Sequence, residues 1–487
     1  MTIMKYYQRM NESWLPTLTA TNGTLHERLL HALRQDIAAG TLRPEGKLPP
    51  HRELASRLGI GVGTVTKAYA EAERLGLLTS AVGRGTFVAR TAPPPRESTA
   101  SSPSFHGDPD AIIDLSLNMQ SLDAASARIG DALVRVHDRP DIGDHVTFAP
   151  HAGIDWHRQT LAEWLRKAAQ FTTVDWRRLI VTTGTQHAMS LSVDELCQPG
   201  DVVLTEAATF NGFRAIADYR RLRCAGVAMD RDGILPAALE EAIVTHGSRV
   251  LYVQPTLQNP TTRTMPRARR EEIITIARRH DLTLIEDDVY APIAFAQGSQ
   301  ASQGSDLVPL AMLAPERTFY VSSVSKALAP GLRVGMLVAP DRERFDRLGV
   351  AMRATCYSTS TLGPLVVSQW IKDGVADEIR GVLAQEASTR MILARRMLGD
   401  AIEAPSFPTS LHAWLPMSEL RAERVANSVL RRGVILTPPS SFIVNGESVS
   451  GLRLCLNSVT RPEMEHALRI IRSVLADEIV PGRMAIV

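Results

Sequence analysis

The sequence predicts an α/β protein in which a small N-terminal domain precedes a larger body built on a mostly parallel sheet. Residues 24–90 show helical periodicity followed by two short strand-like runs, and residues 91–110 form a linker rich in Pro and Ser. In residues 111–487, short apolar runs alternate with amphipathic stretches, a pattern typical of parallel sheets. A length of 487 residues suits two or three domains.

The N-terminal domain begins with a predicted helix. Its apolar residues recur at every fourth position, at Leu25, Leu29, Leu33 and Ile37. Two further helices are predicted at residues 51–58 and 63–75, and two short strands at residues 77–79 and 86–88. Three helices followed by a hairpin predict a winged helix-turn-helix.

Charge is distributed unevenly along the chain. The net charge is +2, yet residues 24–90 contain more Lys and Arg than Asp and Glu, so the remainder is mildly acidic. A basic N-terminal domain on an acidic body fits nucleic-acid binding, although many solvated helices share this balance. Double-stranded DNA is therefore the expected macromolecular partner.

Composition favours a reducing compartment. The four cysteines, at positions 197, 224, 356 and 455, include no Cys-x-x-Cys pair, which favours free thiols over a disulfide framework. No apolar run reaches the ~18 residues that span a bilayer. Residues 1–22 lack the pattern of a signal peptide. We expect a cytoplasmic protein with no membrane partner.

The body contains short apolar runs that predict strands at residues 179–183, 202–204, 250–253, 282–285 and 319–321. Residues 269–279 are one of the intervening stretches with a helical pattern. The C-terminal part mixes predicted helices at residues 375–398 and 461–475 with short strands, which indicates a smaller second domain within the body.

A lysine in an unusual context marks the candidate site. Lys326 lies in the run Ser323-Val324-Ser325-Lys326-Ala327-Leu328-Ala329-Pro330-Gly331-Leu332-Arg333. A lysine amine can form a Schiff base with an aldehyde, and hydroxyl groups with an arginine suit a phosphate dianion. The run predicts a covalently held cofactor with a phosphate group.

Other candidates follow the predicted strands, where open α/β sheets bind ligands. Gly184 and Thr185 open a helix after residues 179–183, and the free N–H groups of such a helix start suit a phosphate. Gln186 has the simpler interpretation of starting that helix. The remaining candidates are an aromatic side chain suited to stacking and three polar side chains at strand ends: Phe210, Asn259, Asp287 and Tyr290.

These residues resemble fold type I aminotransferases, which use pyridoxal 5′-phosphate, over about residues 110–480. The resemblance implies that Lys326 forms the aldimine and that Asp287 pairs with the ring nitrogen, which keeps the ring an electron sink. It implies that Asn259 and Tyr290 hold the 3′-oxygen and that Phe210 stacks on the ring. The implied phosphate ligands are Gly184, Thr185, Ser323, Ser325 and Arg333. No metal site is predicted.

Two more segments extend this resemblance. The run Leu452-Arg453-Leu454-Cys455 resembles the family strand whose arginine binds the substrate carboxylate, so Arg453 is the implied carboxylate ligand. The run that begins at Phe148 resembles the segment whose first residue is commonly a tyrosine reaching the phosphate in the other subunit. A homodimer is therefore implied, but Phe148 has no hydroxyl to make that hydrogen bond.

The runs Gly46-Lys47-Leu48-Pro49-Pro50-His51-Arg52-Glu53-Leu54-Ala55 and Gly83-Arg84-Gly85-Thr86-Phe87-Val88 resemble the GntR-type winged helix. The resemblance implies that Arg52 contacts a DNA phosphate and that Arg84, at the wing tip, enters a minor groove. The residues implied to reach base edges from the recognition helix are Thr64, Thr66 and Lys67. The run Gly61-Val62-Gly63 departs from the usual serine cap and arginine, so the family's operator preference is not carried over.

A GntR-type winged helix joined to an aminotransferase-like body is the architecture of MocR-type transcriptional regulators, which the chain resembles over nearly its whole length. The resemblance implies a DNA-binding regulator that senses an amino compound, or pyridoxal 5′-phosphate itself, through the Lys326 aldimine. One alternative is an active aminotransferase with a vestigial DNA-binding domain, because the catalytic groups are all present. Another is a sensor of cofactor level alone, which would leave Arg453 without a role.

Overall fold

The computed structural model describes residues 14–17, 24–38, 41–43, 46–74, 77–81, 85–88, 112–120, 123–296, 307–444 and 449–479. The chain divides into two compact units, Met1–Phe105 and His106–Val487. The predicted linker at residues 91–110 lies outside the described residues, so the domain limits stay predictions.

The N-terminal unit is a winged helix-turn-helix, as predicted. Its helices and strands are α1 (Leu25–Ala38), α2 (His51–Leu58), α3 (Val62–Arg74), β1 (Leu78–Ala81) and β2 (Gly85–Val88). Strands β1 and β2 form an antiparallel pair. Helix α2 ends at Gly59, whose φ of 67° directs its N–H toward the carbonyl groups of Ala55 and Ser56. Apolar side chains from the three helices and both strands share one small core.

The body is built around a seven-stranded sheet. The strands of the body are β3 (Ile113–Asp114), β4 (Leu179–Thr183), β5 (Val202–Glu206), β6 (Arg223–Val227), β7 (Met229–Asp230), β8 (Gly233–Ile234), β9 (Val250–Val253), β10 (Thr283–Asp287), β11 (Thr318–Ser323), β12 (Val334–Val338), β13 (His412–Pro416), β14 (Val434–Ile435) and β15 (Gly451–Cys455). The order in the large sheet is β4-β12-β11-β10-β9-β5-β6. Only β12 runs against the others in that sheet, so the carboxyl ends of six strands share one edge.

All five strands that the sequence predicts in the body are present, whereas β6 and β12 were not predicted. Within the described residues, strand β6 pairs only with β5, and it is partly exposed, so it lacks a continuous apolar run. Strand β12 is fully buried, but the chain reverses direction just before it, at Arg333 with a φ of 54°. Side-chain periodicity carries no information on that reversal.

Helices cover both faces of the large sheet. The helices of the body are α4 (Asp123–His137), α5 (Asp155–Ala168), α6 (Gly184–Leu196), α7 (Asn211–Tyr219), α8 (Pro236–His246), α9 (Arg267–Arg279), α10 (Ala291–Ala294), α11 (Leu310–Leu313), α12 (Arg342–Thr355), α13 (Leu362–Lys372), α14 (Val375–Leu398), α15 (Glu419–Leu430) and α16 (Arg461–Ile479). Successive strand residues face opposite sides. Tyr252 and Ile285 thus join the core under α6, α7 and α12, whereas Leu251 and Leu284 join the core under α8 and α9.

A smaller domain forms from the C-terminal part of the chain, as predicted. Its strands are the antiparallel pair β13–β15 and the parallel pair β3–β14, and they share a core with α14, α15 and α16. Strand β3 comes from the start of the body, so the small domain combines both ends of the body sequence. Within the described ranges, no helix has the length and apolarity needed to cross a membrane.

Candidate functional site

Lys326 lies in a short turn directly after β11. The strand stops at Ser323, whose Oγ accepts the N–H of Ser325 at 3.2 Å and so starts the turn Val324–Lys326. The Nζ of Lys326 donates to the backbone carbonyl of Asn118. Burial lowers the pKa of Lys326 to about 8. The amine is therefore neutral, and nucleophilic, at a lower pH than in a solvated lysine.

Asp287 is the last residue of β10 and is buried. Its Oδ2 accepts the hydroxyl of Tyr252 at 2.8 Å and the Nε2 of Gln254 at 2.9 Å. Its Oδ1 lies 3.4 Å from the N–H of Val289. Burial raises the pKa of Asp287 to about 6. These donors are neutral, and no cation among the described side chains forms an ion pair with Asp287, so its charged form would be stabilised by a cationic ligand.

The Tyr290 hydroxyl lies at the centre of an amide network. It accepts Nδ2 of Asn118 at 2.8 Å and, at the longer distance of 3.5 Å, Nδ2 of Asn259. Burial raises the pKa of Tyr290 above its ordinary value, so the phenol stays protonated. Because the oxygen accepts from two amides, its own proton can be donated to a third group.

Arg453 of β15 is only 6% exposed. Its Nη1 donates to Oδ1 of Asn259 at 2.8 Å, and its Nη2 donates to the Ser116 carbonyl at 2.6 Å and to Oγ1 of Thr437 at 2.9 Å. All these acceptors are neutral, and the described part of the chain supplies Arg453 with no carboxylate. A buried guanidinium in this state suits the carboxylate of a ligand. One hydrogen-bonded network thus joins Arg453, Asn259, Tyr290, Asn118 and Lys326.

Gly184 and Arg333 form the opposite end of the site. Gly184 begins α6 with a φ of 77°, and a Cβ at this position would lie 2.7 Å from Nη2 of Arg333. That Nη2 also donates to the Thr183 carbonyl at 3.1 Å. The first turn of α6, which includes Thr185, therefore presents free N–H groups beside an exposed guanidinium. This arrangement is typical of phosphate sites.

Two aromatic residues of the predicted site contact neighbours outside the network that joins Arg453 to Lys326. Phe210 directly precedes α7, and its ring lies over Gly212, where an added Cβ would be 2.4 Å from the ring. Gln186 donates to the Gly212 carbonyl at 2.7 Å, so it helps to join α6 to α7. Phe148 is 83% exposed, with its ring centre 5.0 Å from that of Tyr357. The stacking role of Phe210 and the interface role of Phe148 stay predictions.

Sequence reasoning missed several side chains in this network. His412 of β13 is buried, its Nδ1 lies 3.0 Å from Nδ2 of Asn118, and burial lowers its pKa to about 3, which keeps it neutral. No local pattern marks Asn118 or His412. Gln254 was detectable, because it directly follows β9, where the rule about strand ends applies. Asn259, which was expected at a strand end, lies six residues beyond β9 in a loop.

The predicted DNA-contacting side chains on α2 and α3 are exposed or partly exposed: Arg52, Thr64, Thr66 and Lys67. The hydroxyl of Thr66 donates to the Val62 carbonyl at 3.0 Å and lies 3.2 Å from Nδ1 of His51, so part of its hydrogen-bonding capacity is used within the unit. Arg84 lies outside the described residues. All four described side chains lie on the two helices of the helix-turn-helix.

Comparison with known proteins identifies the family. The chain belongs to the family aminotransferase class I and II, whose model matches residues 110–471. The model of bacterial regulatory proteins, gntR family, matches residues 25–88. The protein is therefore a fusion of a gntR-type DNA-binding domain with an aminotransferase-like domain, which is the architecture of MocR-type regulators.

Relatives match nearly the whole chain. YdeF, an uncharacterized HTH-type transcriptional regulator of Bacillus subtilis (strain 168), is 26% identical over 479 residues, which cover 96% of this chain and 97% of YdeF. The vitamin B6 salvage pathway transcriptional repressor PtsJ of Salmonella typhimurium is 27% identical over 465 residues, which cover 91% and 96%. The solved structure of an archaeal alanine:glyoxylate aminotransferase matches with a TM-score of 0.67 and 23% identity, over 75% of this chain and 91% of its own. That structural likeness shows the fold of the body.

Proposed function

We propose that this protein is a DNA-binding transcriptional regulator whose aminotransferase-like domain holds pyridoxal 5′-phosphate on Lys326 and responds to an amino compound that carries a carboxylate. The observation that supports this most is the network from Lys326 to Arg453. It combines an amine suited to an aldehyde with a guanidinium suited to a carboxylate. The gntR-type domain on the same chain supplies the binding of double-stranded DNA.

The residues present fit pyridoxal 5′-phosphate in three respects. Asp287 is a buried carboxylate with neutral donors only, which suits a protonated pyridine nitrogen. Gly184 leaves a space beside Arg333 that any Cβ would fill, at a helix start suited to a phosphate. Burial lowers the pKa of Lys326 to about 8, which makes a larger fraction of the amine neutral than in a solvated lysine. When bound, the cofactor supplies an aldehyde for amines and an electron-withdrawing ring.

The side chains of the site have separate tasks in this proposal. Asp287 holds a negative charge against the ring nitrogen, while Tyr252 and Gln254 keep its carboxylate in position. Tyr290 would donate a hydrogen bond to the 3′-oxygen of the bound cofactor, with Asn259 beside it. The groups proposed to hold the phosphate are Gly184, Thr185, Ser323, Ser325 and Arg333.

The proposed effector follows from Arg453. A buried cation that lacks a carboxylate partner among the described residues favours a ligand with both an amine and a carboxylate. PtsJ is named for vitamin B6 salvage, which makes pyridoxal 5′-phosphate itself the second candidate effector. We further propose that the protein is cytoplasmic and acts as a homodimer.

The alternative function is catalysis. The body belongs to an aminotransferase family, and the groups for a half-transamination are present in the site. An oxo acid distinguishes the two functions, because turnover with an oxo acid requires an enzyme. A regulator requires a change in DNA binding when the ligand is added.

One experiment tests the proposal on the full-length protein. We load it with pyridoxal 5′-phosphate, reduce with borohydride and map the labelled peptide, which should contain Lys326. Amines are then screened by the change in cofactor absorbance, and each positive compound is tested for its effect on retention of promoter DNA. A label on another lysine, or DNA binding that no positive compound alters, contradicts the proposal.

A further inference from the structure

A short segment at the start of the body crosses the candidate site. Residues 114–120, here called the strap, begin at the end of β3, the first described element after the predicted linker. The N–H of Leu115 donates to the Ile435 carbonyl at 2.9 Å, and the Leu115 carbonyl accepts the N–H of Cys455 at 2.8 Å. The beginning of the strap is therefore held between β14 and β15 of the small domain.

The middle of the strap contacts three groups that the proposed function assigns to the ligand. The Ser116 carbonyl accepts Nη2 of Arg453 at 2.6 Å. The Asn118 carbonyl accepts Nζ of Lys326, and the Asn118 side chain donates to the Tyr290 hydroxyl at 2.8 Å. The strap thus bonds to the groups proposed for the carboxylate, the aldehyde and the 3′-oxygen.

The end of the strap is attached to the turn that carries Lys326. Gln120 is 3% exposed, and its Nε2 donates to the Ser325 carbonyl at 2.6 Å and approaches the Leu328 carbonyl at 3.4 Å. The side-chain oxygens of Asn118 and Gln120 are buried without a hydrogen-bond partner among the described residues. Buried acceptors in this state are unfavourable, so a shifted strap that satisfies them would be stabilised.

We propose that Asn118 is a positioning residue and that the strap senses whether the site is occupied; this inference rests on the proposed function. A ligand that engages Lys326 takes the donor away from the Asn118 carbonyl, and a ligand carboxylate that engages Arg453 competes with the Ser116 carbonyl. A buried carbonyl that loses its donor must find another. The occupied site therefore favours a different arrangement of the strap, and the continuous chain transmits the shift to the linker.

Hydrogen–deuterium exchange on the full-length protein tests the strap directly. Loading with pyridoxal 5′-phosphate, verified by absorbance, should change exchange of the peptide spanning residues 112–120 roughly tenfold, the scale of one hydrogen bond. Inorganic phosphate, which needs only the end formed by Gly184 and Arg333, should leave that exchange unchanged. Equal exchange in loaded and cofactor-free protein overturns the inference.

A variant tests whether the strap transmits the signal. Asn118→Ala removes the side-chain contacts with Tyr290 and His412. The control Asn427→Ala removes a hydrogen bond that Nδ2 of Asn427 donates to the Glu423 carbonyl at 2.9 Å on an exposed face of α15. The ratio of DNA affinities with and without pyridoxal 5′-phosphate should approach one in Asn118→Ala and keep its wild-type value in Asn427→Ala.

A loaded Asn118→Ala protein with the wild-type ratio contradicts the sensing role. If that variant does not load, Gln120→Ala replaces it, because it releases the strap at the turn of Lys326, and the same outcomes apply. If the wild-type protein itself has a ratio of DNA affinities of one, pyridoxal 5′-phosphate does not alter its DNA binding. The proposed function as a ligand-responsive regulator is then wrong. The exchange experiment then still decides whether the strap responds to occupancy.

Discussion

At the scale of single residues, Lys326 is proposed to supply the covalent bond, and other groups supply the remaining affinity. Lys326→Ala should abolish the visible aldimine absorbance of the unreduced protein without unfolding it, because no amine remains to form the imine while Arg333 and the start of α6 still hold phosphate reversibly. Absorbance spectra and thermal melting measure both effects. Lys167→Ala, at an exposed lysine of α5, is the matched control and should keep the absorbance.

Asp287 illustrates a conflict between stability and cofactor binding at one residue. The pKa of Asp287 is about 6 in the folded protein, against an ordinary value of 3.8. Its carboxyl group therefore ionises at a higher pH in the folded protein than in the unfolded chain. Its contribution to stability is therefore full below about pH 4 and is lost as pH rises through 6, a loss of about 3 kcal/mol for two pKa units.

The variant Asp287→Asn should therefore be more stable than cofactor-free wild type at pH 8 by up to about 3 kcal/mol, with a smaller gap at pH 5. It should also lose most of its affinity for pyridoxal 5′-phosphate. Urea unfolding of the cofactor-free proteins at the two pH values measures the gap. If the difference in unfolding free energy between Asp287→Asn and wild type does not grow with pH, burial does not destabilise the charged form of the Asp287 carboxyl.

At the scale of elements, the start of α6 depends on a glycine. Gly184→Ala forces a Cβ into a φ of 77° and to 2.7 Å from Arg333, so it should weaken binding of pyridoxal 5′-phosphate at least tenfold. The control Gly247→Ala follows α8 at a φ of 60° with open space around its Cβ. Both variants should lose roughly 1 kcal/mol of stability, but only Gly184→Ala should lose cofactor affinity. Equal cofactor titrations for the two would contradict the phosphate assignment.

The helix-turn-helix carries a second prediction at this scale. Arg52→Ala on α2 should weaken binding to specific and random DNA alike and flatten the salt dependence by about one unit of slope, because one phosphate contact is lost. Arg84→Ala should weaken binding most where the minor groove is narrow. Gel-shift titrations at several salt concentrations measure both, with Arg396→Ala on the exposed side of α14 as control. If both variants bind DNA as the wild type does, the winged helix is not the part of the protein that reads DNA.

At the scale of the whole molecule, we expect a homodimer formed by the body, with Phe148 facing the cofactor of the other subunit. Phe148→Asp should shift sedimentation toward the monomer, because an exposed aromatic side chain would be replaced by a charge in the interface. Val244→Asp, at another exposed apolar residue, is the control. Phe148→Tyr should increase the affinity for the cofactor, because it adds a hydroxyl group that can reach the phosphate. A wild-type monomer at micromolar concentration that binds cofactor fully would contradict the dimer.

Much of the architecture was predictable because the relevant signals are local. The five predicted strands of the body and the helices at Val375–Leu398 and Arg461–Ile479 form because apolar spacing along a short stretch decides which face is buried. Gly184, Asp287 and Lys326 were detectable as candidates because each lies at or just after the end of a strand. Gly184 opens a helix there, and Asp287 and Lys326 carry a carboxylate and an amine. The direction of β12 was not, because it depends on a backbone reversal at Arg333.

The sequence by itself determined the fold class, the two kinds of domain and the residue types of the site, since these depend on neighbours in the chain. Only the tertiary structure decided how the site is connected. Arg453 meets Asn259 across 194 positions, and Asn118 meets Lys326 across 208 and His412 across 294. Contacts at such separations depend on how the small domain brings together the two ends of the body sequence. No periodicity within one segment encodes that geometry.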